Sequence, residues 1–388
     1  MRHLAQGHPR VDTSHQAERE LADGQQHDWL RLSLVAGVGP RILQALLARF
    51  ASPTAILDAG PSELREVPGV GTKISRAITA AREEIDIHAE LALCRQHEIQ
   101  ILTPRHATYP RLLKEIADPP VTLFVQGQLK PADAVAIAIV GSRHATRYGV
   151  DQAARLAGGL ARAGVTVISG LARGIDVAAG QAALQAGGRH LAVLGGGLLQ
   201  LYPPEHQEIA EQIRHQGAVL SEMPPRFVPT SNSFPQRNRI ISGLALGTVV
   251  VEAAQRSGAL ITARHAMEQG REVMAVPGRI DSRASQGCHA LIRDGAKLVQ
   301  SVDDILEELG PLVEPSASDQ GVVIRHPAEL KLNETEQAVL QAIDSDPTSI
   351  DAVARATQLP VQRVLATLSV LEMKRLLVRV SGNQVARR

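Results

Sequence analysis

The sequence is poor in aromatic side chains and in cysteine. Phe, Trp and Tyr make up 2% of its 388 residues, Trp29 is the single tryptophan, and the two cysteines, Cys94 and Cys288, lie far apart. With so few rings, a core has to be built from Ala, Val, Leu and Ile. Two isolated cysteines without CxxC spacing argue against a disulfide scaffold or a cysteine zinc site, and fit a reducing compartment. Histidine is more plentiful, at 14, but HExxH and HxxxH spacings are missing, so a metal site has little support. No run of about eighteen apolar residues occurs, which excludes a helical membrane span. The first 28 residues are polar and lack the apolar stretch of a signal peptide. Together these absences lead us to expect a soluble, cytoplasmic chain.

Catalytic fingerprints are missing too. There is no GxxxxGK[ST]; the nearest string, GVGTKIS, has the wrong spacing for a phosphate-binding loop. No GxGxxG with an acid about twenty residues on follows the first strand, and no GxSxG elbow is present. No cofactor is expected.

What is present suggests several domains, since 388 residues with 44% apolar content can bury more than one core. The net charge of +1 is uninformative, but from Asp351 to Arg388 seven Lys and Arg face Asp351 and Glu372, a local +5. Residues 1–28 read as a disordered tail or as the result of an early start-codon choice. Residues 29–100 read as short helices around two similar turns, VAGVGP and VPGVGT, each leading into an amphipathic stretch, a pattern like a helix-hairpin-helix pair. Such glycines can turn backbone N–H groups toward a DNA phosphate at a helix N-terminus. They can equally let two helices pack closely, and both readings stand.

Between residues 101 and 310 apolar runs such as AVAIAIVGS, TVISG, HLAVLGGG and GTVVVEA alternate with helical stretches. Strands apolar on consecutive residues and alternating with helices predict a doubly wound parallel sheet. Residues 311–329 are rich in proline and small polar residues and read as a linker. Residues 330–388 follow the order of a winged helix, opening on a capping box at Asn333 and Glu336 and closing on a Gly-Asn hairpin. Its recognition helix, Pro360 to Lys374, offers only Gln362, Arg363 and Thr367 as base readers, a thin set for a sequence-specific transcription factor.

Ligands of doubly wound sheets lie at the carboxyl ends of the strands. Here those ends carry Gly141, Ser142 and Arg143, then Ser169, Gly170 and Asp176, then Gly195 to Gly197. SFPQRNR follows with Phe234, Arg237, Asn238 and Arg239, and the next strand ends in Glu252, Ser257, Gly258 and Thr262. A rim of small residues, backbone donors, hydroxyls and arginines suits phosphate, whether of a nucleotide or of a polymer. Phe234 and Tyr202 are the aromatics available near it for stacking. Asp176 and Glu252 could form a catalytic pair, with Glu252 as acid or base of a nucleotide-cleaving hydrolase. They could also cap helices or tie down arginines, with Arg143 and Arg239 as their buried partners. Because Arg143 directly follows a strand-end glycine, the ligand role is favoured for it.

The strings AIVGSRHATRYG, VISGLARGIDVAAGQAAL, AVLGGGLLQLYPPEH, FPQRNRIISGLALGTVVVEAAQRSGALITARHAMEQGREVMAVPG and GCHALIRDGAKLV resemble the DprA, or Smf, family of DNA-processing proteins. That resemblance implies an extended Rossmann-like doubly wound sheet, with a SAM-like helix-hairpin-helix domain before it and a winged helix after it. It implies a non-catalytic protein that binds single-stranded DNA, protects it in natural transformation, loads RecA recombinase onto it and forms a homodimer. On the same basis Gly141, Ser142, Arg143, Ser169, Gly170, Phe234, Arg237, Asn238 and Arg239 become the expected single-strand contacts. The first 28 residues match nothing in the resemblance. The winged helix is not universal in such proteins, so it could contact duplex DNA or protein.

Overall fold

The computed structural model describes residues 27–310, 316–317, 323–324, 332–343, 347–373, 376–381 and 383–387. Residues 1–26 of the expected tail and most of the expected linker lie outside them. His27 and Asp28, assigned to the tail by composition, are helical, and Asp28 accepts hydrogen bonds from Arg31 and Thr54. Two compact units emerge: residues up to Tyr109 with Ala117–Phe124, and Pro110–Ile116 with the chain from Val125.

The first unit contains α1 (27–34), α2 (Pro40–Phe50), α3 (Pro53–Asp58), α4 (Pro61–Leu64), α5 (Thr72–Glu84), α6 (Ile87–Gln96) and the short β1 (Gln100–Leu102). Its core is mainly aliphatic, around Leu32, Leu43, Leu46, Ile56 and Ile78, with Trp29 at its edge. The two glycine turns divide the roles left open by sequence. Gly37 and Gly69 have φ of 91° and 88°, and each faces the isoleucine of the other hairpin, Ile74 on α5 and Ile42 on α2. The second glycines, Gly39 and Gly71, cap α2 and α5 with open space beside them. Close packing therefore explains the first glycine of each turn but not the second.

In the second unit α7 (Arg111–Lys114) precedes a large sheet, and β2 (Leu123–Gly127) carries the chain out of the first unit. Seven strands of the sheet follow: β3 (Ala136–Val140), β4 (Thr166–Ser169), β5 (His190–Val193), β6 (Ala218–Ser221), β7 (Gly247–Val250), β8 (Glu272–Ala275) and β9 (Lys297–Leu298). They pair in parallel in the order β6-β5-β4-β3-β7-β8-β9. β3 through β7 are buried along their whole length, which is why apolar residues stand next to one another in them instead of alternating with polar ones. The connecting helices are α8 (Arg147–Arg162), α9 (Ile175–Gln185), α10 (Gln207–Gln216), α11 (Ser233–Gly243), α12 (Gly258–Glu268), α13 (Gln286–Arg293) and α14 (Val302–Leu309). The order runs one way from β3 to β6 and the other from β7 to β9, so β3 and β7 flank the switch point, where such sheets leave a crevice.

Two dipeptide strands, β10 (Ser316–Ala317) and β11 (Val323–Ile324), pair antiparallel within the expected linker. The last module has α15 (Glu334–Gln341), β12 (Thr348–Ser349), α16 (Ile350–Thr357), α17 (Val361–Met373), β13 (Leu377–Ser381) and β14 (Gln384–Arg387). Its strands pair antiparallel as β12-β14-β13, the winged-helix arrangement. The Asn333–Glu336 capping box forms as expected, at 2.9 and 3.0 Å. Thr367 is buried and donates to the Arg363 carbonyl, so it does not read bases. Among the described residues no helix is long and apolar enough to cross a membrane.

One buried polar group makes this fold sensitive to acid. His190, at the start of β5, is fully buried against Gly180 and lies 3.3 Å from the Ser169 hydroxyl. Burial pulls its pKa from 6.5 down to about 3. The unfolded chain therefore binds a proton that the folded one refuses, and stability is lost as the pH falls from about 6.5 toward 3. Urea titrations should show a loss of about 2 kcal/mol between pH 7 and pH 5 from this group, and a flatter profile in His190→Gln.

Candidate functional site

The turn after β3 is locked from two sides. The Ser142 N–H donates to the Glu252 carbonyl after β7 (2.7 Å), and its carbonyl accepts from Ile175 at the start of α9 (3.2 Å). The Glu252 carboxylate, 1% exposed, accepts from the Thr146 N–H and hydroxyl at 3.1 and 3.0 Å and ties the start of α8 to β7. These bonds hold Arg143 at the surface, immediately beyond the strand.

Arg237 performs the corresponding task for α11. It is 5% exposed and donates to the carbonyl of Gly170 after β4 (2.8 Å) and to that of Val193 at the end of β5. Asp176 on α9 is its carboxylate neighbour and accepts the Gly170 N–H at 2.9 Å. Burial pushes the Asp176 carboxyl upward, against the pull of Arg237 and of the Gly170 and Ala172 amides. Burial likewise draws Arg237 down to about 10, opposed by Asp176. Gly170 has to be glycine, because a Cβ there would sit 2.4 Å from the guanidinium.

Above this layer opens a pocket of about 710 Å³. Gly141, Ser142, Arg143, Phe234, Arg237 and Asn238 all line it, together with Asp176, Arg256 and the first residues of α12. Ser257 caps α12, its hydroxyl accepting the Ala259 N–H, so the positive end of that helix dipole meets the pocket. Three arginines face one buried carboxylate in the wall, and Arg143 and Arg256 are exposed without an ion pair among the described residues. This balance of charge favours anions in the pocket.

Its mouth carries a row of rings and cations. The Arg143 guanidinium carbon lies 5.0 Å from the Phe234 ring centroid. Phe234 meets Tyr202 at 5.7 Å and 53°, and Arg173 lies 5.6 Å from the Tyr202 ring. Tyr202 is 45% exposed.

Three expected contacts sit elsewhere. Ser169 and Gly170 are buried beneath the pocket wall, where the Ser169 hydroxyl donates to the Asp176 carbonyl. Arg239, two residues after Arg237, projects to a different side of the helix and forms a buried ion pair with Glu222 at 2.7 Å. The alternative that Arg143 and Arg239 partner Asp176 and Glu252 gives way to other neighbours: Arg237 foremost for Asp176, Thr146 for Glu252 and Glu222 for Arg239. At Ser142 and Gly170 the backbone donors expected for phosphate serve the protein itself. Sequence reasoning missed Arg256 and Arg173. Arg256 directly precedes the Ser257 cap, a signal that was available; Arg173 is recognisable only through its contact with Tyr202.

Residues 100–310 match the family of DNA recombination-mediator protein A, residues 324–383 the DprA winged helix domain, and residues 30–84 the SAM-like helix-hairpin-helix tandem. Protein Smf of Synechocystis is 35% identical over 95% of this chain and all of its own. The X-ray structure of DNA processing protein A from Streptococcus pneumoniae is similar at a TM-score of 0.64 and 36% identity, over 72% of this chain and 97% of that one. DNA processing protein A from Helicobacter pylori, in a structure concerned with that protein's single-stranded DNA binding mode, is similar at a TM-score of 0.51 and 26% identity. That likeness covers 56% of this chain and 98% of the other.

Arg143 and Arg237 differ in what they support. Arg237→Ala strands a buried carboxylate and should cost about 3–5 kcal/mol of stability. Arg143→Ala removes an exposed side chain and should leave the urea midpoint unchanged. Equal midpoints for both variants would contradict this division.

Proposed function

This chain belongs to the DNA recombination-mediator protein A family, the DprA or Smf proteins, and from that premise we propose that it binds single-stranded DNA at the α/β pocket. In this reading it is a non-catalytic, cytoplasmic mediator of recombination and natural transformation that protects the strand, passes it to RecA recombinase and works as a homodimer. The strand contacts are Gly141, Ser142, Arg143, Phe234, Asn238 and Arg256, with Ser169, Gly170 and Arg237 supporting them from below. Arg239 is left to its ion pair with Glu222. RecA transfer and the homodimer rest on family membership.

The row of Arg143, Phe234, Tyr202 and Arg173 at the mouth of a basic pocket is the observation that carries the proposal. Ring faces and guanidinium planes take unstacked bases, which a duplex does not offer, while arginines and the α12 terminus favour phosphate. A hydrolase would need an acid or base facing the pocket. Glu252 is occupied at the start of α8, and Asp176 is held by Arg237 and backbone amides, which favours binding over turnover.

Fluorescence anisotropy with a labelled oligo-dT and the matching duplex tests this. Single strand should bind tighter, with log affinity falling linearly as log salt rises. Combining Arg143→Ala with Phe234→Ala should weaken it by roughly tenfold or more, since one stacked base contributes about 1–3 kcal/mol. Undiminished affinity in that double variant would refute the site. Turnover of nucleoside monophosphates abolished by Glu252→Gln would favour the hydrolase instead.

A further inference from the structure

Arg173 belongs to the link between β4 and α9 and stands outside the pocket wall, at the far end of the row. Its guanidinium lies over the Tyr202 ring, with Nη1 3.5 Å from the phenol oxygen. Its Nε donates to Glu205 Oε1 at 2.6 Å, and both side chains are about half exposed, at 47% and 49%. Glu205 sits in the 3-10 turn Pro204–His206, just after Tyr202, so one short segment supplies both the ring and the carboxylate that hold this arginine.

We propose that Arg173 is a phosphate contact for a nucleotide beyond the pocket, and that Glu205 occupies, in the free protein, the place this phosphate takes in the complex. The proposal rests on the single-strand reading above. Three features support it. A guanidinium presents the same hydrogen-bonding edge to a phosphate as to a carboxylate, so the strand can replace Glu205 without a new side-chain geometry. An exposed ion pair is weak and salt-screened, so the exchange costs little. Tyr202 meets the guanidinium through its ring and, at Nη1, its phenol oxygen, while Glu205 takes Nε, so Tyr202 keeps a hold on the arginine when the carboxylate leaves. The hydrogen bond between them holds Glu205 below the usual carboxylate range and, with that to Tyr202, Arg173 above its own.

The spacing of the row also fits. Its steps are 5.0, 5.7 and 5.6 Å, wider than the rise of about 3.4 Å per nucleotide along a duplex strand. A strand following the row would have its bases drawn apart, and its phosphates would pass from Arg143 at one end to Arg173 at the other.

The test is the salt dependence of oligo-dT affinity for the full chain and for Arg173→Ala and Glu205→Gln, with thermal melting to confirm that each variant is folded. Arg173→Ala should weaken binding several-fold and make the slope of log affinity against log salt shallower by about 0.7, the contribution of one single-strand phosphate contact. Glu205→Gln should tighten binding several-fold at low salt with the slope unchanged, because Arg173 already reaches the phosphate in the unaltered complex. An unchanged slope in Arg173→Ala would overturn the phosphate contact and leave Arg173 as a support for Tyr202. A steeper slope in Glu205→Gln would overturn the exchange, since it would mean that Arg173 stays with Glu205 when DNA is bound. Both outcomes are read on a chain that binds single strands; failure of the unaltered chain to bind would instead refute the function proposed above.

Discussion

Arg237 reaches from α11 down to the carbonyls that end β4 and β5, with Asp176 beside it and Gly170 packed beneath it. This contact fastens α11 to the carboxyl ends of two central strands. α11 in turn carries Phe234 and Asn238 into the pocket, and Phe234 joins Arg143 on one side to Tyr202 on the other. A buried charge is costly unless it is opposed and hydrogen-bonded; here Asp176 supplies the opposing charge and two carbonyls accept from Nη1, while Nε has no hydrogen-bond partner among the described residues. The surface arginines are free to meet a ligand because a different arginine has been spent on holding the scaffold.

The glycine-rich strand ends have to be understood in the same light. Glycines on a phosphate-binding rim suggest open amides, and α12 does bring a helix N-terminus, capped by Ser257, to the pocket. At Gly170, however, the missing side chain makes room for the Arg237 guanidinium, and the amide is bound to Asp176. Close packing and anion binding produce the same small residues at the same strand ends, and only the third dimension separates them.

That ambiguity marks what the sequence could and could not reveal. The parallel sheet was legible because strands buried on both faces leave continuous apolar runs, and the winged helix because Asn333 and Glu336 form a local capping box. The pocket arginines were legible as a group through their strand-end positions. Which arginine does what was not, because Arg237 and Arg239 differ only by a rotation about a helix whose neighbours are remote in sequence. Glu222, the partner of Arg239, lies 17 residues away, and Thr146, the partner of Glu252, lies 106 away. Arg173 was hidden for the same reason, since its role depends on a ring and a carboxylate from the segment after β5.

The central claim is that bases of a single strand rest on the ring row at the mouth of the pocket. Photo-crosslinking of a bromodeoxyuridine-substituted single strand, followed by mass spectrometry of the linked peptides, tests it most directly. Crosslinks should fall at Phe234 or Tyr202. Crosslinks confined to residues 332–387, or to the glycine turns at 35–40 and 67–72, would contradict it.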